Sequence, residues 1–559
     1  MKKQLIRRLS RATDSSTYSL LRSDSHHNLR RAAAGRAESF RSLVEPARRS
    51  SCEKAVDHGY APVHVGHEME RFVVMKKFLK PLIQNLLIYP QIQIQNFPRR
   101  NMASSTSDPR TPDARVRILS TEIIHAKNTQ SPLERIPLTA CDLRLILVGT
   151  IQKGLLFRNP TTDHPISRQT FIENLKSAFS KALALHHPFA GRLTADEHPD
   201  GSASVYIDCN DAGCPFLHAV ADGVTVDEAL HQPFPVPPAP ILWSFFPSND
   251  VKNYHGFTKP LMSVQITELV DGVFIGWTVN HAVADGTAHW NFHRIWSSIC
   301  RGCGEYSPPV FTRDSSLEAI KKKIRVPWSR IRDFNEDNLV IPPLKEGTFH
   351  FSRKKIAELK AKGTAELSGS RQISSLQILI AHLWRAVIRS RADPDPESET
   401  RFVIQVGFRG RFEPNKFPAH YFGNAIGGRT VTMKVKDLVA EGSLGRVAAE
   451  VNRVVAETTD EKLREAVEDW IESPDMRGLG EFTEGGLMLS GSPRFDAYGT
   501  DFGWGKAVAV RSGWANKCDG KVTVFPGPET GSMGFEVCLS PECFDRLRMD
   551  SEFMAAVTE

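Results

Sequence analysis

The chain has 559 residues, enough for more than one domain and for large cores, and its 41% hydrophobic and 24% charged residues are an ordinary balance for a globular protein. Its net charge of +7 is unevenly placed: residues 1–101 hold 19 Lys and Arg against 8 Asp and Glu, a net of +11, which leaves −4 for residues 102–559 and argues against a nucleic-acid partner for the larger part. No run of about 18 apolar residues occurs, which argues against a membrane-spanning helix, and nine cysteines are too sparse for a disulfide framework, so a cytoplasmic, reducing location is expected.

Residues 1 to about 55 are Arg- and Ser-rich and poor in acidic groups, so disorder is expected; the same composition leaves plastid or mitochondrial targeting as an alternative. Globular patterning starts near Val116. Strand-like runs at Val116 to Leu119, Ser204 to Ile207 and Ser263 to Ile266 alternate with a helical stretch from Phe171 to Leu185, whose Leu175, Phe179 and Leu183 share a face. A Pro- and Phe-rich loop spans Gln232 to Pro247. The apolar run Val273 to Val279 then reads as a buried strand, and Phe292 and Trp296, four apart, mark the helix that follows it. Residues 302–348, rich in Pro, Arg and Lys, have the composition of a crossing linker. Regular structure resumes at Thr348 to Phe351, with helices expected at Arg353 to Lys362 and Ser374 to Arg391. The pattern predicts an α/β chain of two globular halves, 102–315 and 347–559, joined by a crossover at 316–346 and preceded by a basic extension, 1–101.

Between the buried strand and its helix lies Asn280-His281-Ala282-Val283-Ala284-Asp285-Gly286. Histidine titrates near 6.5, so a neutral imidazole at a strand end accepts a proton at cellular pH and later returns it. Asp285 is placed to orient the turn or the ring, and Gly286 permits positive φ or a close backbone approach. In Asp501-Phe502-Gly503-Trp504-Gly505-Lys506, two glycines flank a tryptophan, the pattern of a tight turn packing a large ring. Cys300 and Cys303 form a lone Cys-x-x-Cys without the second pair a zinc site needs, and read as helix-end cysteines. His186, His187, His289, His293, His382 and Trp384 read as packing residues. No Gly-x-Ser-x-Gly elbow, phosphate loop or His-Glu-x-x-His helix occurs.

His281-x-x-x-Asp285-Gly286, followed about 220 residues later by Asp501 to Gly505, resembles the plant BAHD acyltransferase family, which moves acyl groups from coenzyme A thioesters to alcohols or amines. Leu138-Thr139-Ala140-Cys141-Asp142, Pro188-Phe189-Ala190-Gly191-Arg192-Leu193 and Tyr421-Phe422-Gly423-Asn424 agree with it, so the likeness runs from about residue 115 to the C-terminus. It implies a mixed α/β, two-domain fold like chloramphenicol acetyltransferase, with an active-site channel between the halves. It also implies a monomer with no metal and no permanently bound cofactor, and as partners an acyl-CoA donor and a small-molecule alcohol or amine, with neither nucleic acid nor membrane. His281 is then the general base and Asp285 a structural residue paired with Arg409 or Arg411; Gly286 and Asn424 are further structural candidates. Ser374 and Ser375, at a helix opening, and the Asp501, Gly503, Trp504 and Gly505 turn are the CoA-side candidates, with Trp504 a packing residue.

One departure concerns the oxyanion. Many relatives place a Ser/Thr-Ser-Trp segment eleven residues before the Asp501 equivalent, and here it reads Ser490-Gly491-Ser492-Pro493-Arg494, leaving Ser490 and Ser492 as oxyanion candidates. That change admits a CoA-independent lyase, or a weakly active relative, on the same fold. Separately, Met1 to Ser10 and Gly59 to Val74 resemble the first half of a small auxin-up RNA protein. Half a small domain cannot close a core, so the expectation is a fused gene prediction whose second protein begins at Met102, with an auxin-response-like binding protein as the alternative function.

Overall fold

Every residue of the strand Gly272–Val279 is buried, the mark of a strand covered on both faces. This is seen in a computed structural model that describes residues 113–126, 134–160, 167–230, 241–312, 324–334, 342–367, 372–409, 417–478, 483 and 485–558. The chain divides by contacts at Ala103/Ser104, and all described residues belong to the unit Ser104–Glu559. The basic extension, with its auxin-up-like segment and Met102, lies outside the described residues, as do most of the Gln232 to Pro247 loop and part of the 302–348 segment.

Among the described residues the strands form two six-stranded sheets and a smaller one. The first sheet runs Val116–Ile124, Cys214–Ala221, Met262–Glu268, Gly272–Val279, Ile151–Arg158, Ala509–Ser512. The second runs Lys345–Phe351, Met533–Leu539, Lys521–Pro526, Gly486–Gly491, Glu399–Gly407, Ile426–Lys434. Both are mixed: Cys214–Ala221 pairs with Met262–Glu268 in parallel, as Gly486–Gly491 does with both its neighbours. The late strand Ala509–Ser512 lies antiparallel to Ile151–Arg158, so the second half of the chain lends a strand to the first sheet.

The expected helices form with small shifts. Arg168–Leu185 starts at an Ser167 cap and buries Leu175, Phe179 and Leu183. Against it packs Gly286–Cys300, where Trp296 stacks edge-on to Phe179 and donates its indole N–H to the Leu175 carbonyl at 2.9 Å. Ser375–Ser390 is the central helix of the second half, buried almost throughout against Val522, Val524 and Phe535. The 302–348 segment is less irregular than its composition suggests: Val326–Pro327 pairs with Ser202–Asp208, and a short helix, Trp328–Arg332, follows, with Trp328 packed edge-on against Phe257. That tertiary contact has no local signature. No described helix is long and apolar enough to cross a membrane.

Candidate active site

His281 sits on the turn between the buried strand Gly272–Val279 and the helix Gly286–Cys300. The turn is held from outside its own sequence. The His281 N–H donates to Asn253 Oδ1 at 2.7 Å, and Asn424 Nδ2 donates to the His281 carbonyl at 2.8 Å. Asn424 is itself placed by Asp142 Oδ1, which accepts its backbone N–H and its amide at 2.8 and 2.9 Å, while Asp142 Oδ2 closes a capping box with Thr139. Asn253 also spans the Leu145 and Gly149 carbonyls and receives Asn280 Nδ2 on its own carbonyl. Asn253 and Asp142 are supports that sequence reading passed over. Asp142 was visible only as part of a motif, and Asn253 carries no local signal, lying in a short turn 28 residues before His281.

The imidazole Nδ1 is buried and without a hydrogen-bond partner, while His281 as a whole is only half-buried. Burial lowers the ring's pKa below its usual 6.5; its own carbonyl, Asp285 and the Asn424 amide oppose the shift, and the Lys521 charge adds to it. The outcome is a neutral imidazole at physiological pH.

Asp285 faces away from the ring. It is fully buried, caps the following helix by accepting the Ala288 N–H at Oδ1 (2.9 Å), and at Oδ2 accepts the Ala425 N–H (3.0 Å) and Arg409 Nη1 (2.5 Å). Arg409 also reaches the Tyr421 carbonyl at 2.8 Å, so the Tyr421 to Asn424 segment is locked against the turn. Of the two candidate arginines Arg409 makes the pair; Arg411 lies outside the described residues. Gly286 serves a close approach and not positive φ: a Cβ there would stand 2.6 Å from the Phe495 ring.

The Ser490 to Arg494 segment reaches the site through Phe495, which stacks beside Trp290. Ser490 Oγ lies 3.3 Å from both the Val522 carbonyl and Thr523 Oγ1, and Ser492 Oγ accepts the Arg494 N–H at 3.2 Å, so both hydroxyls have partners within the protein. The Asp501 turn is self-contained in the same way. Asp501 Oδ1 accepts the N–H groups of Gly503 and Gly505, which stand at φ 89° and 101°, and Trp504 packs on Phe171 with centroids 4.2 Å apart. Phe502 wedges between Phe157 and Trp296, and Arg301 binds the Asp501 carbonyl. Ser374 spends its hydroxyl on a capping box with Gln377, leaving Ser375 as the first residue of the helix. Cys300 ends its helix and Cys303 is exposed, both as free thiols.

Two mixed sheets, the first completed by a late strand from the second half of the chain, with a histidine on the turn between a buried strand and a helix, place the chain in the chloramphenicol-acetyltransferase-like fold class. Residues 114–554 match the Transferase family. An uncharacterised acetyltransferase of Arabidopsis thaliana is 36% identical over 448 residues, covering 79% of this chain and 99% of the relative. The BAHD acyltransferase DCR of the same plant is 29% identical over 451 residues, covering 77% and 91%. Vinorine synthase shares the fold, with a TM-score of 0.60 at 21% identity over 79% of this chain and 98% of that one. The chain belongs to the Transferase family and is an acyltransferase of the plant BAHD type.

Proposed function

We propose that the protein transfers an acyl group from a coenzyme A thioester to the hydroxyl or amine of a small molecule, with His281 as general base. The observation that carries this is the separation of roles within the motif: Asp285 is engaged by Arg409, Ala425 and Ala288, whereas the His281 ring is touched by none of these contacts and burial favours its neutral form. The acceptor heteroatom attacks the thioester carbonyl while Nε2 takes its proton. The tetrahedral oxyanion collapses, the C–S bond breaks, and the imidazolium returns the proton to the CoA thiolate. The Ser490 and Ser492 hydroxyls are the candidate oxyanion donors. The Ser375 helix opening, whose first N–H groups have no partner along the helix itself, is the candidate site for a CoA phosphate, and the Asp501 to Gly505 turn supports the fold on that reading.

Residues 102–315 and 347–559 are the two working halves, joined through 316–346, and the chain acts as a cytosolic monomer. The test incubates the full chain with acetyl-CoA and aromatic acyl-CoAs against pooled alcohols and amines and follows free thiol. Acceptor-dependent thiol release that survives His281→Ala would refute the mechanism.

A further inference from the structure

Two lysines that take no part in the network around His281 enter the same interior. Along Lys521–Pro526 the side chains alternate: Val522 and Val524 are buried in the core around the Ser375–Ser390 helix, whereas Phe525 belongs to the core of the first half. Lys521 and Thr523 therefore share the Phe525 face, as do Ser490, paired with Thr523 on one side, and Glu536, paired with it on the other. Lys153 lies on the face of Ile151–Arg158 that carries Leu155 and Phe157, and its ammonium is 4.6 Å from the centroid of the Phe525 ring. The Lys521 charge is felt at both His281 and Lys153, and the Lys153 charge at His289. Both lysines thus stand between the two sheets, within electrostatic reach of the His281 turn.

The carboxylates of this layer are already engaged. Lys517 Nζ binds Glu346 at 2.5 Å and also Glu536, and Glu536 takes the Ser512 hydroxyl and, at 3.3 Å, its N–H. Burial and the neighbouring Glu536 push Glu346 up to about 8, while Lys517 holds Glu536 ionised. The Lys517 ammonium is thus already answered by the ionised Glu536, while burial favours the neutral form of Glu346. Arg511 donates to the carbonyls of Val510 and Leu230 at 3.0 and 3.4 Å. The ammonium groups of Lys153 and Lys521 make no hydrogen bond or ion pair among the described residues, and Lys521 is only 9% exposed. Burial lowers Lys153 to about 7 and Lys521 to about 8. The Glu536 charge opposes the shift at both lysines without pairing directly with either; a desolvated ammonium with no direct partner is costly, and a bound anion lowers that cost.

We infer that Lys153 and Lys521 together hold a carboxylate of the substrate, on either the acyl group or the acceptor, beside His281. The inference rests on the acyl-transfer reading for the reaction that follows, while the anion site is measurable without turnover. Thiol release by the full chain is compared for malonyl-CoA against acetyl-CoA, and for 4-hydroxybenzoate and serine against their methyl esters. A malonyl preference places the carboxylate on the acyl group; an acid-over-ester preference places it on the acceptor. Lys153→Met and Lys521→Met are each expected to lower the preference by about tenfold or more, and the charge-keeping Arg variants to restore much of it. In parallel, malonate and benzoate should raise the thermal midpoint of the wild type and of the Arg variants but not of the Met variants, and benzamide should raise none. Lysine-dependent stabilisation without thiol release would keep the anion site and remove the acyl-transfer reading. Thiol release without acid preference, or with a preference and an anion shift indifferent to both lysines, overturns the inference.

Discussion

Asp285 and Arg409, 124 residues apart in the chain, meet in a buried ion pair of 2.5 Å. The same carboxylate caps the Gly286–Cys300 helix and accepts the Ala425 N–H, so one side chain ties the His281 turn to the second half of the chain. Both its oxygens are engaged by these three groups, and no hydrogen bond runs from it to the imidazole.

Breaking that pair from either side strands a charge. Asp285→Ala and Arg409→Met should each cost about 3–5 kcal/mol in urea unfolding, and the double variant should recover part of the loss. An Arg409→Met protein within about 0.5 kcal/mol of wild type would contradict the buried-pair account.

His281→Ala should lower thiol release by about a hundredfold to ten-thousandfold while the protein stays folded. Burial holds the ring below 6.5, so the basic form persists as pH falls through neutrality. The acid limb of kcat/KM should lie below 6.5, and an apparent pKa above 7 on that limb would exclude His281 as the base.

Asn253 and Asn424 hold the backbone on either side of the imidazole. Asn253→Ala leaves the buried His281 N–H unpaired and Asn424→Ala frees the His281 carbonyl and Asp142, so each should cost about 1–3 kcal/mol. Because the turn carries the ring, kcat should fall more than KM rises. Stability loss with kcat unchanged would show that the supports do not position the base.

The Asp501 turn is expected to act through packing. Trp504→Ala removes the ring from Phe171 and should cost about 3–5 kcal/mol. Gly503→Ala, at φ 89°, should cost about 1 kcal/mol or more. If both variants instead keep their thermal midpoints and lose CoA affinity, the turn is a binding element.

Four buried histidines predict acid sensitivity. Burial lowers His186 and His289 to about 3 and His382 to about 4, and holds His293 well below its usual value. The unfolded chain takes up these protons near 6.5 and the folded one does not. Stability is therefore intact above about 6.5 and is lost as pH falls toward the folded values, by about 1 kcal/mol per histidine at pH 5.5. A thermal midpoint unchanged between pH 7.5 and 5.5 would count against it.

Much of the layout is local and was legible. The largely apolar run at Val273 to Val279 is a strand buried on both faces, and the period of Leu175, Phe179 and Leu183 is that of a helix turned into the same core. The helix expected from Ser374 opens there, with Ser374 as its cap. The short order within Trp328–Arg332 was not legible, because its anchor is Phe257, some seventy residues earlier.

The sequence by itself determined the strongly patterned strands and helices, and that a histidine and an aspartate flank the turn between one strand and one helix, because backbone propensity and apolar period act over a few residues. Only the tertiary structure decided which cation answers Asp285, that Asn253 and Asp142 carry the His281 turn, and that the Lys153 ammonium lies over a ring of the strand that carries Lys521. Each of those facts depends on the register between strands far apart in the chain. Register is settled by burying both sheets at once, and no local window contains it.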